Sequence, residues 1–218
     1  MNFNIVAEGN TDFRVLRTVI ETIIDDAVVN ILVPSVDAYS HKTNGRAGWE
    51  NVVDYLKSNL LQDALDYSDY LVIQIDTDEC EHVNYNASSI TLADNNVELF
   101  YEKIQEKMIE WINHYDSEIY EKYKEKIIFA ICIHSLECWL LALYVNQNEL
   151  PRKRIHAGFT HLNRALNRSQ NISLSDPKDP NQYEVIARPF RKKKQYAVVR
   201  EYSYSFNRFV STLESLEV

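Results

Sequence analysis

Glycine and proline are scarce, at 4 and 5 in 218 residues, which excludes a collagen-like chain and a Gly/Pro-rich disordered one. Cysteine is scarcer. Its 3 copies are an odd number at no metal-ligand spacing, so neither a disulfide framework nor a zinc site is indicated. Cys132 and Cys138 stand in apolar surroundings, where free cysteine packs as a small hydrophobe. No apolar run approaches the ~20 residues a membrane span needs. Met1 to Ala7 lacks the charged and long apolar regions of a secretory signal, so a cytoplasmic protein without membrane association is expected. There is no internal repeat and no low-complexity tract.

What is present suffices for one full-sized core: 45% apolar residues, with 14 Tyr, 8 Phe and 3 Trp. Positive charge is in deficit, 23 Lys and Arg against 32 Asp and Glu, for a net of -9. A uniformly acidic protein would be a poor partner for nucleic acid, but the deficit is uneven. Residues 1 to 150 hold 10 basic and 26 acidic residues, a net of -16, whereas residues 151 to 218 hold 13 and 6, a net of +7. Two regions are expected, an acidic domain over 1–150 and a basic C-terminal extension over 151–218 packed on it.

Apolar periodicity divides the first region into strand-then-helix units. Phe3 to Ala7 reads as a strand that stops at Glu8-Gly9-Asn10, before a helix from Thr11 to Ile24. Asn30 to Val36 reads as a second strand, followed by a polar loop with His41, Lys42, Asn44 and Arg46, then a helical pattern from Trp49 to Leu60. Tyr70 to Ile75 and Ile127 to Ile133 are nearly continuous apolar runs, the mark of strands buried on both faces. Val97 to Ile112 and Leu136 to Val145 are helical. Such alternation predicts an α/β fold, a mostly parallel sheet flanked by helices. Beyond Pro151 the pattern is less regular, with loop signals from Asn167 to Gln182 and a final helix from Phe206 to Leu216.

In an open parallel sheet, ligands bind beyond the carboxyl ends of the strands. Three acidic groups map there: Glu8 with Asp12 four residues on, Asp76 with Asp78, and Glu137 after the fourth strand. Carboxylates brought together repel unless a cation neutralises them, and Mg2+ or Mn2+ is the ion a few carboxylates and waters hold. The bland alternative is that these residues are helix caps and solvated turn residues. Asp12 in a first helical turn also complements the helix dipole.

Val6-Ala7-Glu8-Gly9-Asn10-Thr11-Asp12 and Ile75-Asp76-Thr77-Asp78 resemble the two signature motifs of the Toprim domain. Glu137-Cys138-Trp139-Leu140-Leu141 is similar to the Glu-x-Trp-Leu-Leu element of small stand-alone Toprim-like proteins, among them the RloB-like group linked to phage defence. The resemblance covers roughly residues 3 to 145. It implies a Toprim-like fold and a divalent-metal-dependent nuclease hydrolysing DNA or RNA, the effector of an antiphage or toxin-like system. Carried over, Glu8 is metal ligand or general base, and Asp76 and Asp78 are metal ligands. Nucleases of the overcoming-lysogenization-defect type add Asp12 and Glu137 to the metal set. Toprim topoisomerases need a separate tyrosine-bearing domain for which these residues leave no room, so a nuclease is expected rather than a strand-passage enzyme. The alternative is a catalytically silent nucleic-acid-binding or partner-binding module regulated by an ATPase partner. Homo-oligomer formation is a further expectation.

Arg188, Arg191, Lys192, Lys193 and Lys194 are concentrated beside Phe190 and Tyr196, and Arg152-Lys153-Arg154 opens the same region. Cations give salt-dependent affinity for phosphates and aromatic rings give stacking surfaces for unpaired bases, so this segment is the expected nucleic-acid-binding track. A solvated turn, or a surface that pairs with the acidic body, is the other reading. His134 lies nearest the acidic edge, as a helix-start histidine or a phosphate contact.

Overall fold

The computed structural model describes residues 1–35, 48–145 and 157–216. The chain opens with β1 (Asn2–Val6), α1 (Asn10–Ile23) and β2 (Val28–Val33), then α2 (Trp49–Leu56), α3 (Leu60–Tyr67) and β3 (Tyr70–Asp76). Next come α4 (Thr91–Asn95), α5 (Val97–Ile112), α6 (Ile119–Tyr123), β4 (Ile127–Cys132) and α7 (Glu137–Tyr144). The last helices are α8 (Gly158–Gln170), α9 (Pro180–Ala187), α10 (Lys193–Tyr202) and α11 (Tyr204–Glu214).

The strands form one sheet in the order β2-β1-β3-β4, and every neighbouring pair is parallel. The expected α/β class, a parallel sheet flanked by helices, is the one found. Side chains alternate across the sheet as the strand period requires. Leu71, Ile73 and Ile75 of β3 enter one apolar cluster while Val72 enters the other. In β4, Ile128, Ala130 and Cys132 take the Val72 side. One face is covered by α2, α3, α5 and α6, the other by α1, α7 and the helices α8 to α11. Both faces of the central strands are therefore dry, which is why their sequences are almost unbroken apolar runs.

The C-terminal residues form a layer of this sandwich. Leu162, Leu166, Tyr183, Ile186, Phe206, Phe209 and Leu213 share one buried cluster with Phe3, Ile5 and Leu16. Trp139 ties the layers together. Its ring stacks on Phe209 at 5.7 Å and meets Phe206 edge-on at 5.2 Å, and its indole N–H donates to Ser205 Oγ at 3.0 Å.

Two local expectations are corrected. The helix expected over Trp49–Leu60 ends at Leu56 and restarts as α3, because the Ser58 hydroxyl donates to the Tyr55 carbonyl at 2.8 Å and competes with the helical pattern. Residues expected to be loop from Asn167 belong to α8 as far as Gln170, where Asn171, in the left-handed region at φ 54°, ends it. Among the described residues no helix is long and apolar enough to cross a membrane. The loop residues His41, Lys42, Asn44 and Arg46, and the basic run Arg152-Lys153-Arg154, lie outside the described residues.

Candidate functional site

Parallel strands deliver the loops that follow them to one edge of the sheet. β1 brings Glu8 there, the first turn of α1 returns Asp12, β3 ends in Asp76 with Asp78 beyond it, and β4 leads through His134 and Ser135 to Glu137 at the head of α7.

Backbone and side-chain hydrogen bonds fix the strand ends. Glu8 Oε1 accepts the Asp76 N–H at 2.6 Å, and the Glu8 N–H donates to Gln74 Oε1 at 3.0 Å. Gln74, fully buried in β3, also donates from Nε2 to Asp76 Oδ1 at 2.8 Å, and the Leu136 N–H reaches the same oxygen at 3.1 Å. Gln74 thus clips the first acidic strand end to the third strand. Its role was not read from the sequence, although a lone polar side chain inside Tyr-Leu-Val-Ile-Gln-Ile must find partners when buried. Thr77 does the same between β3 and β4. Its N–H donates to the carbonyls of Cys132 at 3.1 Å and His134 at 3.0 Å, and its Oγ1 accepts the His134 N–H at 2.8 Å. These bonds hold His134 at φ 65° beside the site.

Asp76, Asp78, His134, Ser135, Glu137 and Lys178 line a cleft of about 220 Å³. Glycines keep its walls close. A Cβ on Gly9 would come within 2.9 Å of Asp12 Oδ2, and one on Gly158 within 2.6 Å of Ser135 Oγ and 3.1 Å of Cys138 Sγ. Gly158→Ala is expected to cost about 1–3 kcal/mol, as overpacking of a tight site does. Urea unfolding checks this, and an unchanged midpoint would show that Ser135 and Cys138 move aside freely.

Two further residues complete the site, and neither was nominated from sequence. Lys178 Nζ lies 2.6 Å from Glu137 Oε1, and the Tyr183 hydroxyl donates to the same oxygen at 2.6 Å. Both come from the region after α8, and only the tertiary packing of α9 against the sheet edge reveals them.

The electrostatics sort the carboxyls into two kinds. Burial is the main cause that raises the pKa of Asp12 to about 7, with the Glu137 charge adding to it and Lys178 opposing. Glu8 and Asp76 are pushed well above the ordinary carboxyl range, first by burial; the Asp76 N–H pulls Glu8 back down while Asp12 and Asp78 raise it, and Glu8, Asp12, Glu137 and Asp78 all raise Asp76. Asp78 is raised too, by burial and by Glu79. Burial also acts against Glu137, but Lys178, Tyr183 and Ser135 outweigh it and hold its pKa below the usual value. All five acidic residues singled out from sequence therefore belong to one electrostatic unit.

The donor set is of the hard-cation kind, carboxylate oxygens only, and a divalent cation would relieve the repulsion that adds to burial in raising four of the five pKa values. The residues thus fit Mg2+ or Mn2+ in kind. Among the described residues no three His, Cys, Asp or Glu groups stand grouped so as to hold a metal ion.

The basic cluster is not part of this cleft. Arg188, Arg191, Lys192, Lys193 and Lys194 are exposed on the turn Arg188–Arg191 and the start of α10. Arg188 and Lys192 line a second cleft of about 400 Å³ with Leu143 and Tyr144, which end α7, whereas Glu137 begins it. Seven residues at 1.5 Å rise separate those ends by about 10 Å. Phe190 is not the stacking surface expected of it, because it is fully buried against Phe206 at 5.1 Å.

Comparison with protein-family models, with curated proteins and with solved structures finds no match to this chain.

Proposed function

We propose that the chain is a divalent-metal-dependent nuclease of Toprim type, hydrolysing phosphodiester bonds of DNA or RNA as an effector of antiphage or toxin-like defence. The observation that supports this most is the gathering of Glu8, Asp12, Asp76, Asp78 and Glu137 from separate segments onto one sheet edge, four of them with raised pKa values. A fold that collects repelling carboxylates at one sheet edge, three of them on a cleft wall, has a use for cations.

Asp76 and Asp78, on the cleft wall, would be the principal ligands, with Asp12 and Glu137 in support. When bound, the metal would activate water and offset charge on the phosphate. Glu8, its proton affinity raised by burial, is suited to take a proton from the attacking water. The water oxygen bonds to phosphorus, its proton passes to Glu8, the P–O ester bond breaks, and the leaving oxygen takes up a proton from bulk water. Gln74 and the Asp76 N–H hold Glu8 in register for that step.

Incubating purified chain with DNA and RNA in Mg2+ or Mn2+ tests the proposal: metal-dependent cleavage supports it, and no cleavage under either metal opposes it. A second reading, a silent binding module worked by an ATPase partner, is favoured by one observation, that no three candidate ligands among the described residues are grouped to hold an ion.

The exposed cations on the Arg188 turn and α10 would anchor substrate backbone away from the cleft. Replacing Arg191, Lys192, Lys193 and Lys194 with neutral residues is expected to flatten the slope of log K against log salt by about 0.7–0.9 for each phosphate no longer neutralised. An unchanged slope would remove the cluster from the substrate path.

A further inference from the structure

Lys178 is the one Lys or Arg among the described residues that line the carboxylate cleft. It stands on the loop between α8 and α9, which is fixed on both sides. The Ser175 N–H donates to Gln182 Oε1 at 2.9 Å, and Asp179 accepts the Asn181 N–H at 2.8 Å to cap α9. From this anchored loop the side chain reaches inward to Glu137 Oε1 at 2.6 Å. The two partners are unequally placed. Glu137 has 2% of its side chain exposed and cannot leave, whereas Lys178 has 42% exposed and opens directly to solvent. Glu8, Asp12 and Asp76 also feel the Lys178 ammonium, so its charge serves four of the five carboxylates.

An ammonium and a divalent cation satisfy the same acidic oxygens, and both together would repel. We infer that Lys178 is an internal counter-ion that closes the centre in the metal-free protein: its ammonium takes the cation's place beside Glu137 and must swing out to solvent before a divalent ion is held there. This rests on the metal-centre reading of the same cleft and adds its regulation. Lys178 is a positioning residue here. The fixed loop limits its travel, and Tyr183 keeps Glu137 in place when it leaves.

Mn2+ binding to the full chain, followed by titration calorimetry at constant pH, tests this. Lys178→Met is expected to bind Mn2+ about tenfold more tightly than wild type, while its metal-free form melts at a lower temperature. Lys178→Arg, which keeps the charge, should bind as wild type does, and Glu137→Gln more weakly. In wild type, Mg2+ should shift one lysine side-chain NMR signal, the one missing from Lys178→Arg. Wild-type binding with no gain in Lys178→Met, or with that signal unmoved, overturns the counter-ion role and leaves the metal centre standing. Absence of Mn2+ binding by wild type overturns both.

Discussion

Glu8→Gln will lower metal-dependent cleavage by about 100- to 10,000-fold, the range that loss of a positioned proton acceptor produces. The substitution keeps an oxygen where Glu8 Oε1 accepts the Asp76 N–H, so the strand ends stay joined. It also removes a carboxyl whose ionised form is disfavoured by burial, so stability should not fall. Activity and stability therefore part company in this variant, which a structural role for Glu8 would not allow. Asp76→Asn should behave alike in activity. Its Oδ1 accepts from Gln74 and from the Leu136 N–H, and an amide oxygen can serve both. Single-turnover cleavage beside a melting curve checks the pair. Wild-type cleavage by Glu8→Gln would remove Glu8 from the chemistry.

The metal-free protein will lose stability as pH rises from about 5 to 8. A carboxyl with a raised folded-state pKa keeps a proton that the unfolded chain releases, so stability is greatest while both states are protonated and falls as pH climbs through the folded value. Asp12, raised from 3.8 to about 7, alone sets the window at about pH 4 to 7, and the upward displacement of Glu8 and Asp76 carries it further. A tenfold change in proton affinity is worth about 1.4 kcal/mol, so Asp12, raised from 3.8 to about 7, accounts for about 4 kcal/mol, which for a chain of this size is about 8–16 °C in melting temperature. Glu137 acts in the opposite sense. Its lowered pKa gives stability above the ordinary carboxyl range that is lost as pH falls through the folded value. Stability should thus peak near pH 5 without metal. Mn2+ should raise the melting temperature much more at pH 8 than at pH 5, and Asp12→Asn should flatten the pH dependence. Equal melting temperatures at both pH values without metal would contradict the electrostatic account.

The strand ends were legible in sequence because β3 and β4 announce themselves as apolar runs, and the residue after such a run must lie at a sheet edge. Periodicity likewise revealed α1 and α5, whose buried residues recur at three and four. Of the C-terminal layer only α11 was legible, as the helix expected over Phe206–Leu216. α10 buries only Val199, too little for a pattern, and α8 begins at Gly158 with Ala157 in the left-handed region before it. Lys178 was hidden for a different reason. It sits in a Pro-flanked loop that reads as surface, and its partner Glu137 is some forty residues away, so only the packing of α9 on the edge joins them. In the basic cluster, only the placing of Phe190 was misread. A run of cations beside aromatics suggested one binding surface, but the backbone turns Phe190 inward while Arg188 and Arg191 face out.

The central claim is that these carboxylates hold divalent cations. Anomalous diffraction from a crystal grown with Mn2+ tests it most directly. The account predicts a manganese peak at Asp76 and Asp78, beside Glu8, with Lys178 turned away from Glu137. A fully folded protein in saturating Mn2+, with no peak at that edge and the Lys178–Glu137 pair still closed, would contradict it.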